Sequence, residues 1–211
     1  LGVSIEDNSE KMMLVDDTGR IITEDMFIAL VSLILFKTIQ GGVVVVPISA
    51  SEVVEKIAVQ NNGKVLRAKT SLQDIMGKML CNEVKEGMLE QFTMHYDAIA
   101  GLVHILDFIS LNNYRLSDLV DMIPDFHIKR KEVECPWNAK GKVIREIIQE
   151  SDGKRIETLE GVKIFQDNGW VLVLPDAERP VCKVISEGYS EEFAEELSSI
   201  YVNKIREISR Y

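Results

Sequence analysis

"VVVVPISASEVVEKIAVQNNGKVLRAK", residues 43–69, decides the fold class. Val43 to Val46 form an unbroken β-branched run, the mark of a strand covered on both faces of a parallel sheet. Ser49 or Ser51 then caps a helix whose apolar face is Val53, Val54, Ile57 and Ala58, and Asn61-Asn62-Gly63 ends it. "KVLRAK" (64–69) is the next strand. Strand, helix, strand in that order is a βαβ unit, whose natural solution is a parallel α/β sheet.

Upstream, "KMMLVDDTGRII" (11–22) reads as two short strands around an Asp17-Thr18-Gly19 turn. Thr23 caps a helix with Glu24 and Asp25 in its first turn. Its apolar stripe is Phe27, Leu30, Val31, Ile34 and Leu35, and Gly41-Gly42 stops it. Downstream, Ser71 caps a helix through Leu80, a polar stretch covers 81–95, and 96–111 is a strongly apolar helix followed by a short one over 115–122. "FHIKRKEVE" alternates like a strand. "CPW" (135–137) marks a hinge at which Pro136 fixes the turn and Trp137 covers apolar area; Asn138 can cap a helix carrying Val143, Ile144, Ile147 and Ile148 inward. Three short strands follow, near 162–166, 169–174 and 181–186, then a last helix from Ser190. The expected fold class is therefore α/β: a three-layer lobe with a mixed or parallel sheet over residues 1–130, then a small α+β domain with an antiparallel sheet over 131–211.

The 211 residues suffice for one large or two small domains, and 46% hydrophobic with 27% charged residues reads as globular. The longest apolar run, Phe27 to Phe36, is too short to cross a bilayer, so no membrane partner is expected. A net charge of −10 argues against nucleic acid as a partner. Cys81, Cys135 and Cys182 show no C-x-x-C spacing, and His95, His104 and His127 do not pair with them. That pattern fits buried thiols in a reducing cytoplasm better than a metal site. The chain opens at Leu1-Gly2-Val3 without an initiator Met, as expected of a fragment of a longer polypeptide.

Taken in order, these stretches resemble the last part of the α-D-phosphohexomutase family, the phosphoglucomutases and phosphomannomutases. The resemblance implies that residues 1–16 end one domain and that the family's third and fourth domains follow. It also places three motifs. The metal loop, usually D-G-D-G-D-R, falls at "EDNSEK" (6–11) ahead of the "MLVDDTGR" hairpin. The sugar-contacting loop, usually G-E-E-S-G-H, falls near "KEGMLEQF" (85–92). The phosphate loop, usually R-P-S-G-T-E-P after G-W-x-L-V, falls at "LPDAERP" (174–180), behind "GWVLV".

The frame matches and the motif residues differ. Glu6, Asn8 and Glu10 stand where the family has aspartates, and Asp7 and Ser9 where it has glycines. Mg²⁺ wants near-octahedral oxygen ligands at tight distances, so no cofactor is expected here; Mg²⁺ is expected only if the loop at 6–11 still works, the other reading being a solvated acidic turn. In the phosphate loop, Leu174 replaces Arg, Asp176 replaces Ser, Ala177 replaces Gly, Glu178 replaces Thr and Arg179 replaces Glu. Two carboxylates beside a phosphate dianion would repel it, and Arg179 would offset one of them. The substrate-binding positions thus implied are Asp176, Ala177, Glu178 and Arg179, with no catalytic residue; a plain surface turn with a local ion pair is the competing reading. Asp97, ahead of the apolar helix, reads as a complement to the helix dipole rather than as an acid catalyst.

The spellings "FHIKRKEVECPWNAKGKVIREI", "LEGVKIFQDNGWVLVLPDAERP" and "SEGYSEEFAEEL" look like the mutase-like C-terminal region found behind sugar-1-phosphate nucleotidyltransferases of the mannose-1-phosphate guanylyltransferase type. The expectation is a degenerate, structural or regulatory module of such an enzyme. Its partner would be the upstream nucleotidyltransferase domain, with a homo-oligomer as a further possibility. The alternative is part of an active phosphomannomutase or phosphoglucomutase with diverged loops, whose partners are the other mutase domains of the same chain. No "SH" pair of the mutase serine loop occurs in these residues.

Overall fold

A computed structural model describes residues 1–80 and 87–210. They fall into two compact units, Leu1–Asp125 and Phe126–Tyr211. The division comes five residues before the 130/131 boundary read from the sequence, because the strand starting at His127 pairs along its whole length inside the second unit.

Unit 1 opens with a three-stranded antiparallel sheet, β1 (Gly2–Ile5), β2 (Met12–Val15) and β3 (Ile21–Ile22). The β2–β3 hairpin is the one expected from the sequence; β1 was not anticipated. Helix α1 (Glu24–Thr38) follows, capped by the Thr23 hydroxyl, which accepts from Met26 N at 3.3 Å. Every residue from Ala29 to Phe36 is buried, so α1 is enclosed on all sides rather than along one stripe. Next come β4 (Val43–Pro47), α2 (Val53–Gln60) and β5 (Lys64–Ala68). β4 and β5 are parallel, with Val43 opposite Lys64 and Pro47 opposite Ala68, as the βαβ reading requires. The cap position of α2 is Glu52, without a side-chain bond, rather than Ser49 or Ser51; the Ser51 hydroxyl, one residue earlier, accepts from Val53 N at 2.9 Å.

After β5 comes α3 (Leu72–Met79), capped by Ser71, and among the described residues three further helices follow before the second unit's first strand. These are α4 (Met88–Tyr96), α5 (Ala98–Asn112) and α6 (Leu116–Asp121). α4 lies within the stretch read as merely polar, and it covers the edge of β4, which pairs with β5 alone among the described residues. Gln91 is fully buried, and its carboxamide donates to Val45 O at 2.7 Å and accepts from Val45 N at 2.9 Å. One side-chain amide thus substitutes for a neighbouring strand on the free edge of β4.

Unit 2 is a five-stranded antiparallel sheet in the order β6-β10-β9-β8-β7, built from β6 (His127–Glu134), β7 (Ile156–Glu157), β8 (Val162–Gln166), β9 (Gly169–Pro175) and β10 (Val181–Gly188). Helices α7 (Trp137–Glu150) and α8 (Glu191–Ser209) bury Val143, Ile147, Leu197, Tyr201 and Ile205 against Ile164, Val171, Val173 and Val184. Each such aliphatic side chain contributes about 1.5–3 kcal/mol. Gly161, at φ 62°, lets the chain enter β8 where a Cβ would meet Val173 O at 2.2 Å. α7 starts one residue before Asn138, with Pro136 at its cap, and Trp137 is 55% exposed rather than covering apolar area as expected.

The bond from Gln91 to β4 gives a direct stability test. Gln91→Ala leaves the N–H and C=O of Val45 buried without partners, so chemical denaturation should show a loss of about 2–4 kcal/mol. A loss below about 0.5 kcal/mol would show that water or another group takes both bonds.

Candidate functional site

The strand-end loop between β9 and β10 holds a connected set of charged contacts, Lys183–Asp176, Arg179–Asp176 and Arg179–Glu132. β9 ends at Pro175, which has no N–H to continue a ladder. The chain then turns through Asp176-Ala177-Glu178-Arg179-Pro180 and re-enters β10 at Val181, closed by Asp176 N to Val181 O at 3.0 Å. Asp176 is buried and points into its own loop. Its Oδ1 accepts the N–H groups of Glu178 and Arg179, both at 2.9 Å. Its Oδ2 takes the Lys183 ammonium at 2.9 Å and the Arg179 guanidinium at 3.3 Å. The Lys183 bond, followed by the two backbone N–H groups, holds this carboxyl well below the usual carboxylate range.

This geometry corrects the expectation that Asp176 and Glu178 face an incoming anion together. Asp176 faces inward and takes the N–H groups such an anion would need, while Glu178 and Ala177 are exposed. Arg179 is committed elsewhere: it grips Glu132 through two bonds, at 2.9 and 2.5 Å. Leu174, at the position where the resemblance implies an arginine, is buried and uncharged. The cation stands one strand over, because Lys183 lies directly across the β9–β10 ladder from Leu174.

From behind, Lys140 of α7 donates to Asp176 O and to Arg179 O, each at 2.6 Å, with its ammonium 3.5 Å from the centre of the Trp137 ring. Lys140, Lys183 and Glu132 were not singled out from the sequence. The hairpin register was the available signal for Lys183, since a loop closed by Asp176 and Val181 sets Lys183 beside Leu174. Nothing local marks Lys140, which lies on another element.

The other candidate residues do not converge. Glu6, Asn8 and Glu10 follow β1 on an exposed turn with Ser9 at φ 57°. The Asn8 amide donates to Glu10 Oε2 at 3.0 Å, and its oxygen accepts from Glu10 N at 3.1 Å. Asn8 therefore turns an N–H₂ toward a carboxylate and spends its only oxygen on the backbone, an arrangement that does not fit a cage of oxygens around Mg²⁺. Among the described residues no group of three or more His, Cys, Asp or Glu side chains is placed to hold a metal ion, and no helix is long and apolar enough to cross a membrane.

Of the sugar-contacting stretch expected at 85–92, Lys85 and Glu86 lie outside the described residues, as does Cys81, and the rest begins α4. Asp97 caps α5, accepting from Ala100 N at 2.9 Å, as the dipole reading requires. Burial lowers the pKa of its neighbour His95, whose ring meets Phe27 edge-on at 5.7 Å. Cys135 and Cys182 are buried free thiols; burial, then the neighbouring Cys135, pushes Cys182 up to about 12.

The β2–β3 hairpin carries a second inward carboxylate. Asp16 accepts from the Thr18 hydroxyl at 2.6 Å and N–H at 2.8 Å, and from Arg20 N at 3.0 Å and Nε at 2.9 Å. The Thr18 hydroxyl leads these bonds in holding its pKa well below the usual range.

No family model matches the chain. A phosphoglucomutase/phosphomannomutase of Thermococcus kodakarensis is 26% identical over 214 residues, covering 98% of this chain and 47% of that protein. A phosphoglucosamine mutase of Methanococcus maripaludis is 23% identical over 218 residues, covering 98% and 48%. Among solved structures, a phosphoglucomutase/phosphomannomutase family protein from Burkholderia thailandensis superposes with a TM-score of 0.75 at 14% identity, over 98% of this chain and 46% of that one. The fold is that of the phosphohexomutases. An N-acetylphosphoglucosamine mutase of Aspergillus fumigatus, solved with GlcNAc-6P and magnesium, shares it at a TM-score of 0.66 and 10% identity, over 98% of this chain and 48% of that one. The chain spans about half the length of these relatives, each of which is named as a mutase.

The two inward carboxylates predict the acid limb of stability. Their folded pKa values lie below the ordinary aspartate value of 3.8, so the unfolded chain takes up protons that the folded chain refuses. Their stabilisation is full well above that value and is lost as pH falls through it toward the depressed folded values. Urea midpoints from about pH 6 to about pH 2 should fall steeply below about pH 4, and less steeply in Asp176→Asn. Equal slopes for the two proteins would contradict the placement of Asp176.

Proposed function

We propose that this chain is the later half of a phosphohexomutase-type protein, one that interconverts phosphate positions on hexose or aminohexose phosphates. The observation that carries this reading is the likeness to a phosphoglucomutase/phosphomannomutase along 98% of the chain, and not across an isolated motif. Its partners in this reading are the other domains of the same protein, and the buried unpaired thiols suit a cytoplasmic setting. The fusion to a guanylyltransferase draws no support from these relatives and stays a weaker reading.

The strand-end loop favours a second reading, in which the half keeps the mutase fold without its distal phosphate grip. A mutase must hold a bisphosphorylated intermediate while it turns, and a firm cationic cradle serves that purpose. Here Asp176 takes the loop's N–H groups and Glu132 takes much of Arg179. Mg²⁺ is a component of the first reading only through residues other than the poorly suited Glu6, Asn8 and Glu10.

Assays of the intact protein with Mg²⁺, a trace of hexose bisphosphate and either glucose 1-phosphate, mannose 1-phosphate or glucosamine 1-phosphate separate the readings. The mutase reading expects conversion to the 6-phosphate, with kcat/KM rising rather than falling in Asp176→Ser because the loop is released. A folded protein with no turnover before or after that change contradicts the mutase reading and sustains the second one.

A further inference from the structure

We infer that Asp176 is a tethered anion: its carboxylate fills, from within the chain, a cradle suited to a free oxyanion such as inorganic phosphate, and so keeps that cradle closed. Two consecutive backbone N–H groups, those of Glu178 and Arg179, aim at one carboxylate oxygen at 2.9 Å each. An ammonium and a guanidinium, from Lys183 and Arg179, reach the other oxygen at 2.9 and 3.3 Å. Paired N–H groups flanked by two cations are the donor set that oxyanions take, and what sets this turn apart from the Asp16 hairpin is the second cation, Lys183, brought from the neighbouring strand. A carboxylate offers two oxygens and a single charge to this set; a phosphate offers more of both.

The cradle does not depend on the carboxylate for its shape. Lys140 holds the carbonyls of Asp176 and Arg179 from the far side, and the turn is pinned by Asp176 N to Val181 O, Val181 N to Arg179 O and Cys135 N to Pro180 O, at 3.0, 2.8 and 2.8 Å. Removing the carboxylate therefore leaves the donors in place with nothing between them. Glu132 is the competing acceptor for Arg179, so Lys183 and the two N–H groups carry most of the attraction in the opened cradle. The closure does not yield near neutral pH, where this carboxyl stays ionised.

This inference rests on atoms of unit 2 alone, so its failure and that of the mutase reading are distinguishable. The probe is inorganic phosphate, titrated into the full chain while the amide resonances of Glu178 and Arg179 are followed, with calorimetry in parallel. The unaltered chain should show no saturable movement of either amide. Asp176→Ala should bind at least about tenfold more tightly than the unaltered chain, and Asp176→Ala with Lys183→Ala should lose that gain. Saturable movement of both amides in the unaltered chain would overturn the inference, as would a folded Asp176→Ala that gains nothing. If Asp176→Ala does not fold, Asp176→Ser takes its place in the same titration. Failure of both to fold, even in phosphate, would refute the claim that Lys140 and the backbone bonds hold the cradle without the carboxylate.

Discussion

The Asp176 carboxylate, with two backbone N–H groups on one oxygen and two cations on the other, fixes the end of the unit 2 sheet. Backbone donors need acceptors, and in this loop the chain supplies one itself. From that contact follow the inward turn of Asp176, the pairing of Arg179 with Glu132 across to β6, and the seat of Lys140 beneath the loop. Lys183 joins the set only because the register places it beside Leu174.

The same constraint shapes unit 1. Gln91 satisfies the open edge of β4, where a further strand would otherwise be needed. Arg67 of β5 closes the turn after β4: its guanidinium donates to Pro47 O at 3.0 Å, Ala50 O at 2.8 Å and Ser51 O at 3.1 Å, and it forks onto Glu55 at 2.8 and 2.6 Å. The carboxyl ends of parallel strands are where α/β folds present ligand sites, and here that end is filled by the chain's own arginine. Asp16 does for the β2–β3 hairpin what Asp176 does for the β9–β10 loop. Each unit keeps the outline of its fold and closes its strand ends from within.

Most of this architecture was legible in the sequence. "VVVVP" and "KVLRAK" pair in parallel, Thr23, Ser71 and Ser190 cap their helices, and the three strands after Gly153 stand where alternation and turn residues put them. β1, β7 and α4 were the elements missed, and α4 owes its place to the bond between Gln91 and Val45, residues 46 positions apart, which no local pattern announces. At the site, residue type was readable and direction was not. Charge arithmetic treats Asp176 and Glu178 alike, whereas the fold buries one against its own loop and exposes the other. The expected pairing of two carboxylates facing outward is therefore replaced by one that faces inward and one that is exposed.

The account stands on the state of one carboxyl group, which carbon-detected NMR of Asp-labelled protein reads directly. Followed from about pH 7 downward, the Asp176 carboxyl carbon should stay ionised through the range in which an ordinary aspartate protonates, and should lose that protection when Lys183 is replaced by alanine. An Asp176 carboxyl that titrates at the ordinary aspartate value, unchanged by Lys183→Ala, would mean that the loop is not closed from within.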